Sequence, residues 1–129
     1  VGTTVPEFMR TDIAPVGFAA FDLDFYSSTV HAMKILSSGH GRLLPRVYCY
    51  FDDTMGSREE LYNEYTGELL AIREFNEQHM DRKIALIHGL AQYRIIKSRW
   101  CQAMYALHVF DHPLYNRYIP DRQDQAPFD

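Results

Sequence analysis

An α/β fold, opening with a parallel strand–helix–strand unit and closing on an antiparallel strand pair, is what this 129-residue sequence predicts. Three observations carry that expectation. The apolar runs "APVGFAAF" and "RVYCYF" flank a segment whose apolar residues, Val30, Met33 and Ile35/Leu36, recur at helical spacing. Two strands joined by a helix run parallel, with a right-handed crossover. Two later apolar runs, "KIALIHG" and "MYALHVF", are separated by a stretch with no helical period, which suits an antiparallel pair. Finally, each of the first two runs stops at a pair of acids, Asp22 and Asp24 in "FDLD", Asp52 and Asp53 in "FDD".

Taken in order, Thr4-Val5-Pro6-Glu7 reads as a helix start, with a Thr cap, a Pro in the first turn and an acid at the capping-box position. The near-continuous apolar character of residues 14–21 predicts a strand buried on both faces. A helix from Ser27 to Leu36 ends at "SSGHG", and "RVYCYFDD" is a second strand, rich in β-branched and aromatic residues. Ser57-Arg58-Glu59-Glu60 forms a capping box, and the following helix would carry Tyr62, Tyr65, Leu69, Ile72 and Phe75 on one face, with Gly67 in its interior. The last two strands follow, and residues 112–129 read as an irregular, Pro-containing tail.

The length suits a single domain with a real core, and 47% apolar and 14% aromatic residues are the composition of a globular chain. A formal charge of −4 offers no electrostatic attraction to nucleic acid or an anionic membrane. No apolar run approaches the roughly 18 residues of a membrane span, and no signal-peptide pattern opens the chain. Cys49 and Cys101 lie in apolar segments without metal-ligand spacing, so they read as buried free thiols of a reducing, cytoplasmic compartment. The first residue is Val, which fits a processed or partial product.

In parallel sheets, ligands bind beyond the carboxyl ends of the strands. Asp22, Asp24, Asp52 and Asp53 are all expected at that rim. Clustered carboxylates need a cation, a proton or full solvation. Mg²⁺ prefers oxygen ligands, and a spare acid beside it could serve as general base. The plainer reading makes one acid of the first pair a helix cap and the second pair the start of a solvated loop. His88 and His108 read as satisfied core or rim histidines, His79 and Asp81 as solvated turn residues, and Trp100, Tyr62 and Tyr65 as packing, with Tyr65 or Glu68 available to line a pocket near the acid pair. Tyr26 is placed to pack over the site, and His112 follows the last strand at an undetermined rim.

"FDLDFYSST" followed by "LLPRVYCYFDD" resembles the second half of class I S-adenosylmethionine-dependent methyltransferases, and most closely the metal-dependent macrocin O-methyltransferase-like family. That family carries D-G-D-x-Y-x-S-T and then an acid pair at the next strand end; here Leu23 stands at the Gly position. The resemblance extends over most of the chain and implies a Rossmann-like fold, of which residues 1–129 would be one partial domain ending in the antiparallel sixth and seventh strands. It implies Asp22, Asp52 and Asp53 as ligands of Mg²⁺, Asp24 as the base that deprotonates a substrate hydroxyl, and S-adenosylmethionine as methyl donor. The partner would be a small hydroxylated molecule.

The donor-binding half of such enzymes carries a Gly-rich loop, and no G-x-G precedes Asp22. The chain alone is therefore expected to bind the donor weakly or not at all. The first strand would present a bare apolar edge and two uncovered faces, to be covered by a missing N-terminal half or by a second copy in a homo-oligomer. Two alternatives are a non-catalytic methyltransferase-like scaffold used for association, and a Mg²⁺-dependent phosphohydrolase of the haloacid-dehalogenase type. The latter also has D-x-D after its first strand, but needs a Ser/Thr-bearing strand and a Lys between its acidic motifs, over a much longer interval.

Overall fold

The computed structural model of the chain describes residues 1–11, 14–56, 62–96 and 98–117. The first helix, α1, spans Thr4–Phe8, so Thr4 lies inside it and does not cap it as expected, and Thr3 before it makes no side-chain cap hydrogen bond. Strand β1 (Val16–Phe21) leads into α2 (Tyr26–Met33), which tightens into a 3₁₀ turn over Lys34–Ser37. Strand β2 (Leu43–Phe51) ends in a 3₁₀ turn at Asp52–Thr54. Helix α3 (Gly67–Gln78), β3 (Arg82–Leu86), a 3₁₀ turn at Arg99–Gln102 and β4 (Met104–Val109) follow. Residues 111–117 form turns, and the rest of the expected tail lies outside the described residues.

The four strands make one mixed sheet in the order β1-β2-β4-β3. As the sequence predicts, β1 and β2 are parallel and β3 and β4 antiparallel. The last strand does not add at an edge. It inserts between β2 and β3, antiparallel to both. The carboxyl ends of β1, β2 and β3 therefore share one rim with the amino end of β4. His112, which follows β4, falls at the opposite rim, edge-on to His40 at 5.4 Å.

Period-two alternation decides which face is covered. Phe21 in β1, and Leu43, Val47, Cys49 and Phe51 in β2, are buried together with Ile84, Tyr105, Leu107 and Val109 against Met33, Leu36, Ala71, Ile72 and Phe75 of the helical layer. The alternate residues Phe18, Ala20, Leu44, Arg46 and Tyr48 are exposed, Phe18 by 58%. The expectation that β1 is buried on both faces is thus corrected: α2 and α3 cover the same face, and among the described residues the other face of β1 is left exposed, while Tyr115 packs on Arg46 and His108 further along the sheet. Among the described residues β1 pairs with β2 alone, so its outer edge is bare. The β1–β2 register slips between Val16 and Phe18, opposite the segment of β2 that contains Pro45, whose nitrogen has no hydrogen to donate. There Gly17 meets the Leu44 side chain so closely that a Cβ would lie 2.8 Å from it.

The predicted third helix begins later than its apolar pattern. Gly67 stands at its start, not its interior, with φ +55° and open space around it, so the backbone conformation and not crowding calls for glycine. Tyr62 and Tyr65 consequently precede the helix; Leu69, Ile72 and Phe75 keep their inward places. The capping box at Ser57–Glu60 lies outside the described residues.

Two polar residues expected in a solvated turn prove structural. His79 stacks on Phe75 at 4.1 Å, sits 2.9 Å from the Phe75 carbonyl through Nδ1, and reaches Ser37 Oγ through Nε2 at 3.1 Å. Asp81 pairs with Arg82, which holds its carboxyl below the usual range. Arg82 itself is buried and donates to the Leu36 and Ser38 carbonyls at 3.1 and 2.9 Å, closing the end of the α2 segment against β3. Arg82→Met should leave both carbonyls unpaired and cost about 2–3 kcal/mol. A urea midpoint unchanged from wild type would show that the clamp contributes nothing. Both cysteines are free and buried, and burial pushes the Cys49 thiol up to about 12, which leaves it unreactive. No helix among the described residues is long and apolar enough to cross a membrane.

Candidate functional site at an acidic rim

Two phenylalanines aim the acids. Phe21 and Phe51 are register partners across the parallel pair, and their rings stack at 4.6 Å, 8° from coplanar. Phe51 also meets the Tyr105 ring edge-on at 5.3 Å. With both aromatics locked in the core, the next residue of each chain segment leaves the sheet at the same height. Those residues are Asp22 and Asp52, both exposed. Asp24 follows, also exposed, while Asp53 is half-buried. The sequence expectation of one acidic rim is met in this sense.

Leu23, the residue at the family's glycine position, packs against the core cluster. Tyr26 does not cover the rim: its hydroxyl donates to Glu74 Oε2 at 2.5 Å, tying α2 to α3. Tyr65 is exposed, with the Arg73 guanidinium 4.7 Å from its ring centre. His88 lies beyond β3 and is exposed, whereas His108 is half-buried in β4 with its Nδ1 2.8 Å from the Tyr115 hydroxyl.

Hydrogen bonds organise the turn after β2. Tyr50 donates its hydroxyl to Asp52 Oδ1, which raises the tyrosine pKa. Thr54 Oγ1 returns to the Phe51 carbonyl at 3.0 Å, and Tyr62 donates to Asp53 Oδ1 at 3.3 Å. The Asp53 amide donates to Glu68 Oε2 at 2.9 Å. The Asp53 pKa is raised, first by burial, against the Tyr62 hydrogen bond, and further by the charges of Asp24, Asp52 and Asp22. The other three aspartates of the rim are thus all close enough for Asp53 to feel their charge.

Glu68 is the residue whose role the sequence conceals. It stands in the first turn of α3 and is 1% exposed, and among the described residues its Oε1 has no hydrogen-bond partner. Burial pushes its pKa up to about 8, against the Asp53 amide donor, with Asp53, Asp52 and Asp22 adding repulsion. Such a carboxyl is largely neutral at neutral pH. In the sequence Glu68 reads as an acid inside a longer helix that starts at Ser57, available at most to line a pocket near the acid pair. Trp100, expected to serve in packing, instead borders a cavity of about 220 Å³ with Tyr50, Asp52, Met55, Arg99 and Ala103, and Arg99 donates to the Met55 carbonyl at 2.9 Å.

The expected metal ligands do not form a coordination shell. Among the described residues, no three acids, histidines or cysteines are grouped so as to hold a metal ion, Asp22, Asp52 and Asp53 included. Asp52 is engaged by Tyr50 and Asp53 by Tyr62, so the rim concentrates charge without converging its oxygens. Chemically, it offers exposed carboxylates able to accept protons or hydroxyl hydrogen bonds, beside a small cavity with two aromatic walls and one cation. Comparisons with known protein families, with curated proteins and with solved structures find no match to this chain.

Proposed function

We propose that these residues form the second half of a Rossmann-like, class I methyltransferase-type domain, and that the acidic rim is the acceptor side of an O-methyl transfer to a small hydroxylated molecule in the cytoplasm. One observation carries the reading: a parallel pair with its helix delivers both acid pairs to one rim, and an antiparallel pair closes the sheet. The bare outer edge of β1 supports it too, because that fold's first strand would pair there.

In this reading Asp24 accepts the proton of the substrate hydroxyl. As that proton leaves, the oxygen forms its bond to the methyl carbon while the carbon–sulfur bond of S-adenosylmethionine breaks. The step needs an exposed carboxylate at the rim, which Asp24 is. Asp22, Asp52 and Asp53 are the residues that would hold Mg²⁺, and a bound Mg²⁺ would acidify the hydroxyl. Among the described residues the three are not grouped to hold an ion, so binding would require their carboxylates to come together. S-adenosylmethionine itself would be held by structure that these residues do not contain.

Calorimetric titration of the chain with Mg²⁺ tests the proposal. One saturable site is expected, weakened at least roughly tenfold in D52N/D53N. Heats that do not saturate, or binding indifferent to that double substitution, would remove the metal from the reading. S-adenosylhomocysteine should give no thermal stabilisation of these residues alone. A second reading, a scaffold used for association, is favoured by the exposed Phe18, Leu44 and Tyr48 on the sheet face away from α2 and α3. It predicts no Mg²⁺ binding, together with concentration-dependent mass in sedimentation.

A further inference from the structure

We infer that Glu68 is a positioning residue for the acidic rim: its buried carboxyl accepts the Asp53 amide and thereby fixes the turn from which Asp52 and Asp53 project. The inference deepens the proposed function and rests on the rim being the working site. Strand β2 ends at Phe51, whose amide still bonds to the Ala103 carbonyl. Past that point the sheet ladder no longer holds the backbone. Asp53, at φ −94° and ψ 28°, departs from helical geometry, so the 3₁₀ turn does not hold itself. Two side chains secure it, Thr54 through the Phe51 carbonyl and Glu68 through the Asp53 amide.

Glu68 comes from 15 residues further along the chain and is 1% exposed. Burying a carboxyl with one oxygen unpaired among the described residues is unfavourable, and an apolar residue would fill the same space more readily. What an apolar residue could not do is accept the Asp53 hydrogen. The helix start is shaped to bring that acceptor into place. Gly67, at φ +55°, turns the chain so that the first acid of α3 points back under the end of β2. Asp53 is thus gripped at its amide by Glu68 and at its carboxylate by Tyr62, while Asp52 is held by Tyr50.

Two substitutions separate positioning from space-filling. Glu68→Met keeps the volume and removes the acceptor; Glu68→Gln keeps both volume and acceptor. By NMR, Asp53 amide exchange should accelerate roughly tenfold or more in E68M and stay near the wild-type rate in E68Q. In the wild-type chain a scalar coupling across the hydrogen bond, from the Asp53 amide nitrogen to the Glu68 carboxyl carbon, is expected. Its absence overturns the inference even if E68M does not fold, and so does unchanged Asp53 exchange in a folded E68M. Where Mg²⁺ binds the wild-type chain, E68M should bind it roughly tenfold more weakly and E68Q nearly as well. Failure of the wild-type chain to bind Mg²⁺ defeats the metal reading of the rim, while the Asp53 exchange still decides the role of Glu68.

Discussion

Phe51→Ala should remove about 3–5 kcal/mol of folding stability, against a total of about 5–15 kcal/mol for a domain of this kind. Phe51 is fully buried at the point where the sheet, α3 and the acidic turn meet. Its loss breaks the stack with Phe21 and the edge contact with Tyr105, and each such aromatic pair contributes about 0.5–1.5 kcal/mol beyond the area it buries. The cavity left behind lies under strands that cannot collapse without moving the register that aligns Asp22 with Asp52. Urea unfolding should therefore show a much lower midpoint with an unchanged slope. A loss under about 1 kcal/mol would mean that the aromatic stack does not hold this end of the sheet together.

Raising the pH should destabilise the metal-free chain on the order of 4 kcal/mol between about pH 5 and about pH 9, and Glu68→Gln should abolish most of that slope. The direction follows from the folded value of about 8, set chiefly by burial, against the ordinary 4.5. Below the ordinary value the carboxyl is protonated both folded and unfolded, so nothing is lost. As the pH rises toward the folded value, the unfolded chain gives up its proton freely while the folded chain must keep it or bury a charge, and stability falls. Above the folded value the curve flattens. Asp53, raised by burial, works in the same direction. His108 works oppositely: burial and Arg46 lower its pKa, so its contribution is lost as the pH falls. Comparing wild type with E68Q isolates Glu68, in chelator-containing buffer so that no cation discharges the rim. Parallel curves for the two would contradict a buried neutral carboxyl.

Both predictions turn on residues that sequence patterns treat very differently. Phe51 is the last apolar residue of a strand ended by acids, and its place follows directly from that run. Glu68 reads as an acid in the interior of a longer helix, available at most to line a pocket. Its burial depends on the turn at Asp53, 15 residues away, which no local period encodes. Arg82 is similar: beside Asp81 it reads as a polar turn, yet the open carbonyls of Leu36 and Ser38 draw it inward. Tyr62 and Tyr65 fit a helical stripe on paper, but Gly67 with its positive φ starts the helix after them.

By itself, the sequence determined the two apolar strands, the parallel pairing that a helical link imposes, the closing antiparallel pair and the one rim where four acids gather. These follow from short-range regularities: alternation, helical spacing, and a charge that cannot continue into a core. Only the tertiary structure decided that β4 enters between β2 and β3, that α2 and α3 cover the same sheet face, that Leu23 packs against the core, and that a buried glutamate grips the acidic turn. Those outcomes depend on which surfaces meet across the chain. A local pattern records that a residue is apolar or charged, whereas its partner is chosen by packing.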